Sequence, residues 1–326
     1  MTPTPLRAPR HPLLAPPVLL LVSGSLIGLK FPLGKVAGAA GVPPMVWAGL
    51  ISLGVMLLLL PVQLFTRSLA LPSRAVLRYT AVSALISFVA PDLLLFTVIP
   101  HAGAGYTGLM FALSPVFTLL FASLLGMRTP GRRGQLGIAV GLIGAVAVSL
   151  TRGASPQGPD LVWLLAAAAI PVALAAGNVY RSLRWPANAA PSSLAFWGHS
   201  FSAMVFLLLV LATEGALPLQ EVRAVSGVAA AQMLISGLGF PVYYRLQRDG
   251  GPVLLSQIGY VAAAVGLISA TLFLGEQYSL ATWLSASIIA LGISITIRAQ
   301  QAESPPPLSP RCGRAPCSAG CATPSP

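Results

Sequence analysis

Ten long apolar stretches, joined by loops that alternate between basic and nearly uncharged, restrict this chain to very few folds. They run at about Val18 to Ala37, Pro44 to Phe65, Tyr79 to Ile99, Ala102 to Leu125, Gly134 to Leu150, Leu161 to Tyr180, Pro191 to Ala212, Ser226 to Tyr244, Pro252 to Leu274 and Leu280 to Ile297. A helix rises about 1.5 Å per residue, so roughly 20 apolar residues cross a hydrocarbon core about 30 Å thick. If each stretch crosses once, fifteen of the nineteen Lys and Arg residues fall on one side. These are Arg7 and Arg10, then Arg67, Arg74 and Arg78, then Arg128, Arg132 and Arg133, then Arg181 and Arg184, then Arg245 and Arg248, and finally Arg298, Arg311 and Arg314. The other side holds only Arg152 and Arg223. Basic loops stay in the cytoplasm, so both termini are expected there. Dropping any one stretch destroys the alternation downstream, which makes the charge pattern an independent argument for ten crossings.

Composition agrees. The chain is 56% hydrophobic and 8% charged, against roughly 25% charged for a soluble domain. The net charge of +12 would suit nucleic acid only as a basic face on a soluble fold. Here it is scattered among short loops, so the expected partner is the lipid bilayer and not nucleic acid. No strand-like alternation runs through the stretches, and the predicted fold is an all-α integral membrane protein. Arg7 and Arg10 precede an apolar run, but no small-x-small cleavage site interrupts it before Lys30, so the first helix is expected to stay in place. Cys312, Cys317 and Cys321 lie in a Pro-, Ser- and Gly-rich tail with no partner cluster and on the reducing side. Neither a metal nor a disulfide is expected of them.

Ten helices divide naturally into two fives. A unit with an odd number of crossings, duplicated in tandem, must insert its second copy upside down, which is the inverted-repeat plan of many secondary transporters. The strings GLKFPLGK at Gly28 to Lys35, GLMFALSPVFTLLFASLLG at Gly108 to Gly126 and SQIGYVAAAVGLISATLFLGE at Ser256 to Glu276 resemble the drug/metabolite transporter superfamily, specifically its EamA-like members. The resemblance covers about residues 15 to 300. It implies two five-helix repeats, at 16–151 and 160–298, between a cytoplasmic segment 1–15 and a disordered tail 299–326. It further implies a secondary active transporter of a small organic metabolite, amino-acid-like or drug-like, expected to work as an exporter of the bacterial inner membrane by alternating access. Proton coupling and a homodimer are compatible with that reading. Two positions depart from the family's pattern. Lys30 stands in Ile27-Gly28-Leu29-Lys30-Phe31 where Asn is common, and Met127 replaces the acidic residue that often closes helix four, while its counterpart Glu276 is kept.

Intramembrane polar residues are the candidates for function, because ionised groups there are costly and mark a pathway or a paired site. Lys30 lies about twelve residues into the first stretch and Asp92 about thirteen into the third, which puts both at a similar depth and within reach of an ion pair. Such a pair either ties two helices together or yields one partner to substrate or proton. Asn178 is the repeat counterpart of Lys30 if Gly177-Asn178-Val179-Tyr180 echoes the family's Gly-x-Asn-Phe. Gln257 and Tyr260 are three apart and share a helix face, which the resemblance turns toward the cavity. Lys35, His199 and Glu276 are weaker candidates: Lys35 is near enough to the outer end to snorkel, His199 reads as a packed hydrogen-bonding residue, and Glu276 as a cap or exit guard. Pro32 and Gly34 are candidates for interrupting the first helix.

An integral membrane enzyme acting on a lipid or lipid-linked substrate is the alternative. It would need clustered catalytic groups. His11, His101 and His199 share no helix face, no Cys precedes Cys312, and neither an H-E-x-x-H pattern nor a phosphate-binding Gly-rich loop is present. No catalytic residue, metal or cofactor is therefore expected.

Overall fold

The computed structural model describes residues 15–69, 71–127, 129–153 and 160–303. Arg7, Arg10, Arg128, Arg311, Arg314 and the three tail cysteines lie outside the described residues. Within them every regular element is helical. The order is α1 (Pro16–Gly28), α2 (Lys30–Ala39), α3 (Pro44–Phe65), α4 (Arg74–Ala84), a π-helical turn (Leu85–Val89), α5 (Ala90–Ala102), α6 (Ala104–Phe111), α7 (Ser114–Leu124) and α8 (Arg132–Gly153). There follow α9 (Leu161–Leu183), α10 (Pro191–Glu214), the short α11 (Leu219–Ala224), α12 (Ser226–Ser256), α13 (Ile258–Leu274) and α14 (Leu280–Glu303).

Five helices among the described residues are long and apolar enough to cross a membrane: Pro16–Ala39, Pro44–Phe65, Arg74–Ala102, Leu161–Leu183 and Pro191–Glu214. The pair α12 and α13 makes a sixth if its 70° bend lies within one span. Several expected continuous helices are thus divided, and the divisions have a chemical cause. Proline has no N–H to return to the carbonyl four residues earlier. Pro32 withholds that bond from Gly28, and the helix is interrupted at Leu29 (φ −65°, ψ −21°). Pro115, in the first turn of α7, withholds it from Phe111, the last residue of α6. Pro91, in the first turn of α5, withholds it from Ser87 in the π-helical turn. The interruption expected from Pro32 and Gly34 therefore falls upstream of both, immediately before Lys30.

The ninth apolar stretch, Pro252 to Leu274, also differs from expectation. Gly251 adopts φ 73°, ψ −178°, a conformation that suits glycine, and separates the body of α12 from Pro252 onward. A second break at Gln257 (φ −66°, ψ −11°) starts α13. The breaks of α6–α7 and α12–α13 meet: Gly259 lies directly against the Phe111 carbonyl, with no room for a Cβ. Gly28 packs in the same way on α13, where a Cβ would stand 2.8 Å from the Ala262 carbonyl. Small residues at such crossings let helix backbones approach closely in a membrane, where packing rather than water exclusion drives association.

Candidate functional site

Lys30 and Asp92 sit at these irregularities. Lys30 opens α2 after the break at Leu29, and Asp92 falls in the first turn of α5 after the π-helical turn. Lys30 Nζ donates to Asp92 Oδ1 at 2.6 Å, with the two residues 6% and 4% exposed. The ammonium also stands 5.3 Å from the Phe111 ring centroid and 6.0 Å from that of Phe96. Removing two charges from water costs several kcal/mol each, which only close pairing and good geometry offset. The pair is consequently sensitive to anything that replaces one partner.

The pair lines a narrow cavity of about 40 Å³, well below the ~300–1,000 Å³ of an ordinary small-molecule site. Its wall draws on α1 at Ile27, the π-helical turn at Ser87 and Phe88, α6 at Phe111, α9 at Asn178 and α12 at Tyr243. Gly177 leaves space for Ser87 to approach α9 closely, where a Cβ would stand 2.9 Å from the serine Cβ. The buried Ser87 hydroxyl has no hydrogen-bond partner. Polar groups thus face a space too small for a metabolite, so admitting one requires helices to move apart.

Behind Asn178 lies a residue that sequence reasoning misplaced. Arg181 was expected in a loop as an orientation marker; α9 continues to Leu183, and Arg181 is 1% exposed. Its Nε donates to Gln247 Oε1 at 2.9 Å, its Nη2 to Asn178 Oδ1 at 2.7 Å and to the Tyr243 hydroxyl. Gln247 in turn donates to the Asn178 carbonyl at 2.9 Å and to Ser182 Oγ at 2.6 Å. The guanidinium faces the Phe88 ring at 5.5 Å and the Tyr243 ring at 5.1 Å. The available signal was spacing: Asn178 and Arg181 are three apart, and Tyr243 and Gln247 four apart, so each pair shares a helix face.

Lys35 and Glu276 form a second ion pair, between α2 and the turn after α13. The Glu276 carboxylate also accepts from Ala104 N at 3.3 Å, at the start of α6, and from the Tyr278 hydroxyl. Lys35 therefore does more than snorkel, and Glu276 joins three segments at one end of the bundle. His199 is fully buried between Phe88 at 4.3 Å and Phe240 at 4.1 Å, with Nδ1 3.3 Å from Ser52 Oγ, and is not part of the cavity wall.

Gln257 and Tyr260 depart from the expected shared face. Ser256, Ile258 and Gly259 line the cavity, whereas Tyr260 turns to α8, reaching the Ile138 carbonyl at 3.4 Å over Gly141. Gln257 is buried at the break with neither amide atom hydrogen-bonded. The 70° bend between α12 and α13 at this point redirects the residues after it. Since 3.4 Å is a weak hydrogen bond, Tyr260→Phe is expected to lower stability by under ~1 kcal/mol. Thermal unfolding of the purified variant checks this.

Residues 15–150 match the EamA-like transporter family. The chain is 24% identical over 261 residues to the uncharacterized inner membrane transporter YedA of Escherichia coli K12, spanning 78% of this chain and 82% of that one. The YedA proteins of E. coli O6:H1 and O157:H7 give the same figures. A solved crystal structure is similar over 85% of this chain and 99% of its own, with a TM-score of 0.61 at 20% identity, which speaks to fold alone. Residues 15–150 of the helical bundle, which include Lys30 and Asp92, are thus similar to the EamA-like transporter family.

Proposed function

We propose that this chain is a ten-helix secondary transporter of the bacterial inner membrane that exports a small organic metabolite. Two inverted five-helix repeats alternate access to the central cavity, and both termini are cytoplasmic. The observation that carries the reading is the Lys30–Asp92 pair, buried in a cavity too small for a metabolite and set where four helices are interrupted. A structure built only to hold helices together has no use for breaks beside its charges. Irregular backbone lining a cavity at mid-membrane is the common arrangement of transporter sites.

Several features support the repeat. Gly103 (φ 85°) and Gly126 (φ 65°) bracket α6–α7, as Gly251 (φ 73°) and Gly275 (φ 63°) bracket the corresponding later helix, and each bracketed helix is broken in between. The family match at 15–150 coincides closely with the first repeat at 16–151. In this arrangement the Lys35–Glu276 pair closes the outer end, and the Arg181 cluster lies behind Asn178 on the inner side of the cavity.

Alternating access is tested by two-sided thiol labelling of Ser256→Cys in a background where Cys312, Cys317 and Cys321 are Ser. The account expects labelling by impermeant reagents from both faces of the membrane; labelling from one face alone contradicts it. In the same background Glu276→Gln is expected to speed labelling from the periplasmic face severalfold, since the outer closure loses its charge.

A further inference from the structure

The cavity's charges do not balance. Lys30 and Asp92 cancel, while Arg181 has only neutral acceptors: Gln247, Asn178 and Tyr243. Its Nη1 is buried and has no hydrogen-bond partner. Of the acidic residues, Asp92, Glu276 and Asp249 are each engaged with other cations, and no carboxylate pairs with Arg181 among the described residues. A buried guanidinium without an anion is a costly arrangement in a membrane protein, and such sites normally serve a ligand.

We propose that Arg181 is the anion-binding residue of the cavity and that the substrate is a small monocarboxylate with an apolar or aromatic body. This rests on the transporter reading above and deepens it. Asn178 Oδ1, which Arg181 Nη2 holds at 2.7 Å and the Tyr243 hydroxyl at 3.2 Å, occupies the place of a carboxylate oxygen as its neutral stand-in. Asn178, Tyr243 and Phe88, all against the guanidinium, line the cavity, so rotation of the Asn178 amide opens the cation to it. Arg presents two parallel N–H donors that match a carboxylate. Charge counting selects among anions and zwitterions. One negative charge neutralises the site; a dianion leaves it negative, and a zwitterion, even one that displaces Lys30 from Asp92, leaves the net cation unbalanced. Phe88, Phe111 and Phe240 supply the apolar wall for the rest of the molecule.

The test uses the full chain in detergent and in proteoliposomes with three matched probes: 3-phenylpropionate, zwitterionic phenylalanine and cationic phenethylamine. Ligand-induced rise in unfolding temperature reports binding independently of flux, and counterflow reports transport. The wild type is expected to be stabilised by 3-phenylpropionate in preference to the other two. Arg181→Gln is expected to raise the concentration required by about tenfold or more, the loss of a charge-assisted contact. Arg181→Lys, which keeps the charge without the fork, is expected to fall between, and decides the matter if the Gln variant does not fold. Preference for phenylalanine or phenethylamine, equal binding by wild type and Arg181→Gln, or no stabilisation by the carboxylate at millimolar concentration overturns the proposal. Arg181-dependent binding without counterflow of the bound probe upholds the anion site and contradicts the transporter reading instead.

Discussion

Asp92→Asn is expected to stop substrate movement almost completely while the protein still inserts and folds. Asn preserves the shape of the side chain but not its charge, so Lys30 loses the anion it holds at 2.6 Å. A hydrogen bond to a charged group is worth ~1.5–3 kcal/mol, and loss of one in the moving site corresponds to a fall in flux of up to roughly 100-fold. The single variant also leaves a buried cation unpaired, which destabilises by ~3–5 kcal/mol if nothing compensates. The double variant Lys30→Met/Asp92→Leu separates the two effects. Apolar replacement of both members of a buried pair is often neutral or stabilising. A pair that only ties helices would therefore regain function in the double variant, whereas a pair in the transport path stays inactive although its thermal stability recovers. Solute release from cells and unfolding temperature of the purified proteins read the two outcomes separately.

Gly259→Val is the second large effect, and it acts on the fold. Gly259 lies where α13 crosses the end of α6, against the Phe111 carbonyl, which is backbone and does not swing aside. Even one added carbon forces the crossing apart, and Val adds two more. Overpacking a close-packed site costs ~1–3 kcal/mol and sometimes more; with a displaced backbone, ~3 kcal/mol or more is expected here. The variant should accumulate poorly in the membrane and unfold at a clearly lower temperature. Gly227→Ala is the matched control, since nothing lies within 4 Å of its added carbon, and it is expected to behave as wild type.

The sequence was most legible where one periodicity acted alone. Counting residues from the same membrane face put Lys30 and Asp92 at one depth, and they meet. The break before Lys30 was legible in principle too, because a proline frees the carbonyl four residues earlier, not its own; reading Pro32 as the break misplaced it by three residues. Arg181 was lost because a positive-inside count treats every cation near the end of an apolar stretch as a loop residue. The apolar pattern ends at about Tyr180, but α9 continues another turn, sustained by the polar partners of Arg181 on α12. Those partners are 62 and 66 residues away in sequence, and no local pattern announces them. Gln257 and Tyr260 illustrate the reverse failure. Their spacing of three implies one face only if the helix is regular between them, and the turn at Gln257 removes that condition.

The account's central claim is that this chain moves a solute through a cavity whose charged pair takes part in the movement. Metabolite profiles of cells and medium test it most directly, comparing a strain lacking the protein with strains overproducing the wild type and Asp92→Asn. The account predicts that one small organic solute rises in the medium and falls in the cells with the wild type, and that Asp92→Asn resembles the deletion. If no solute changes compartment while a lipid or lipid-linked compound is chemically altered, the protein is an enzyme and the account is wrong.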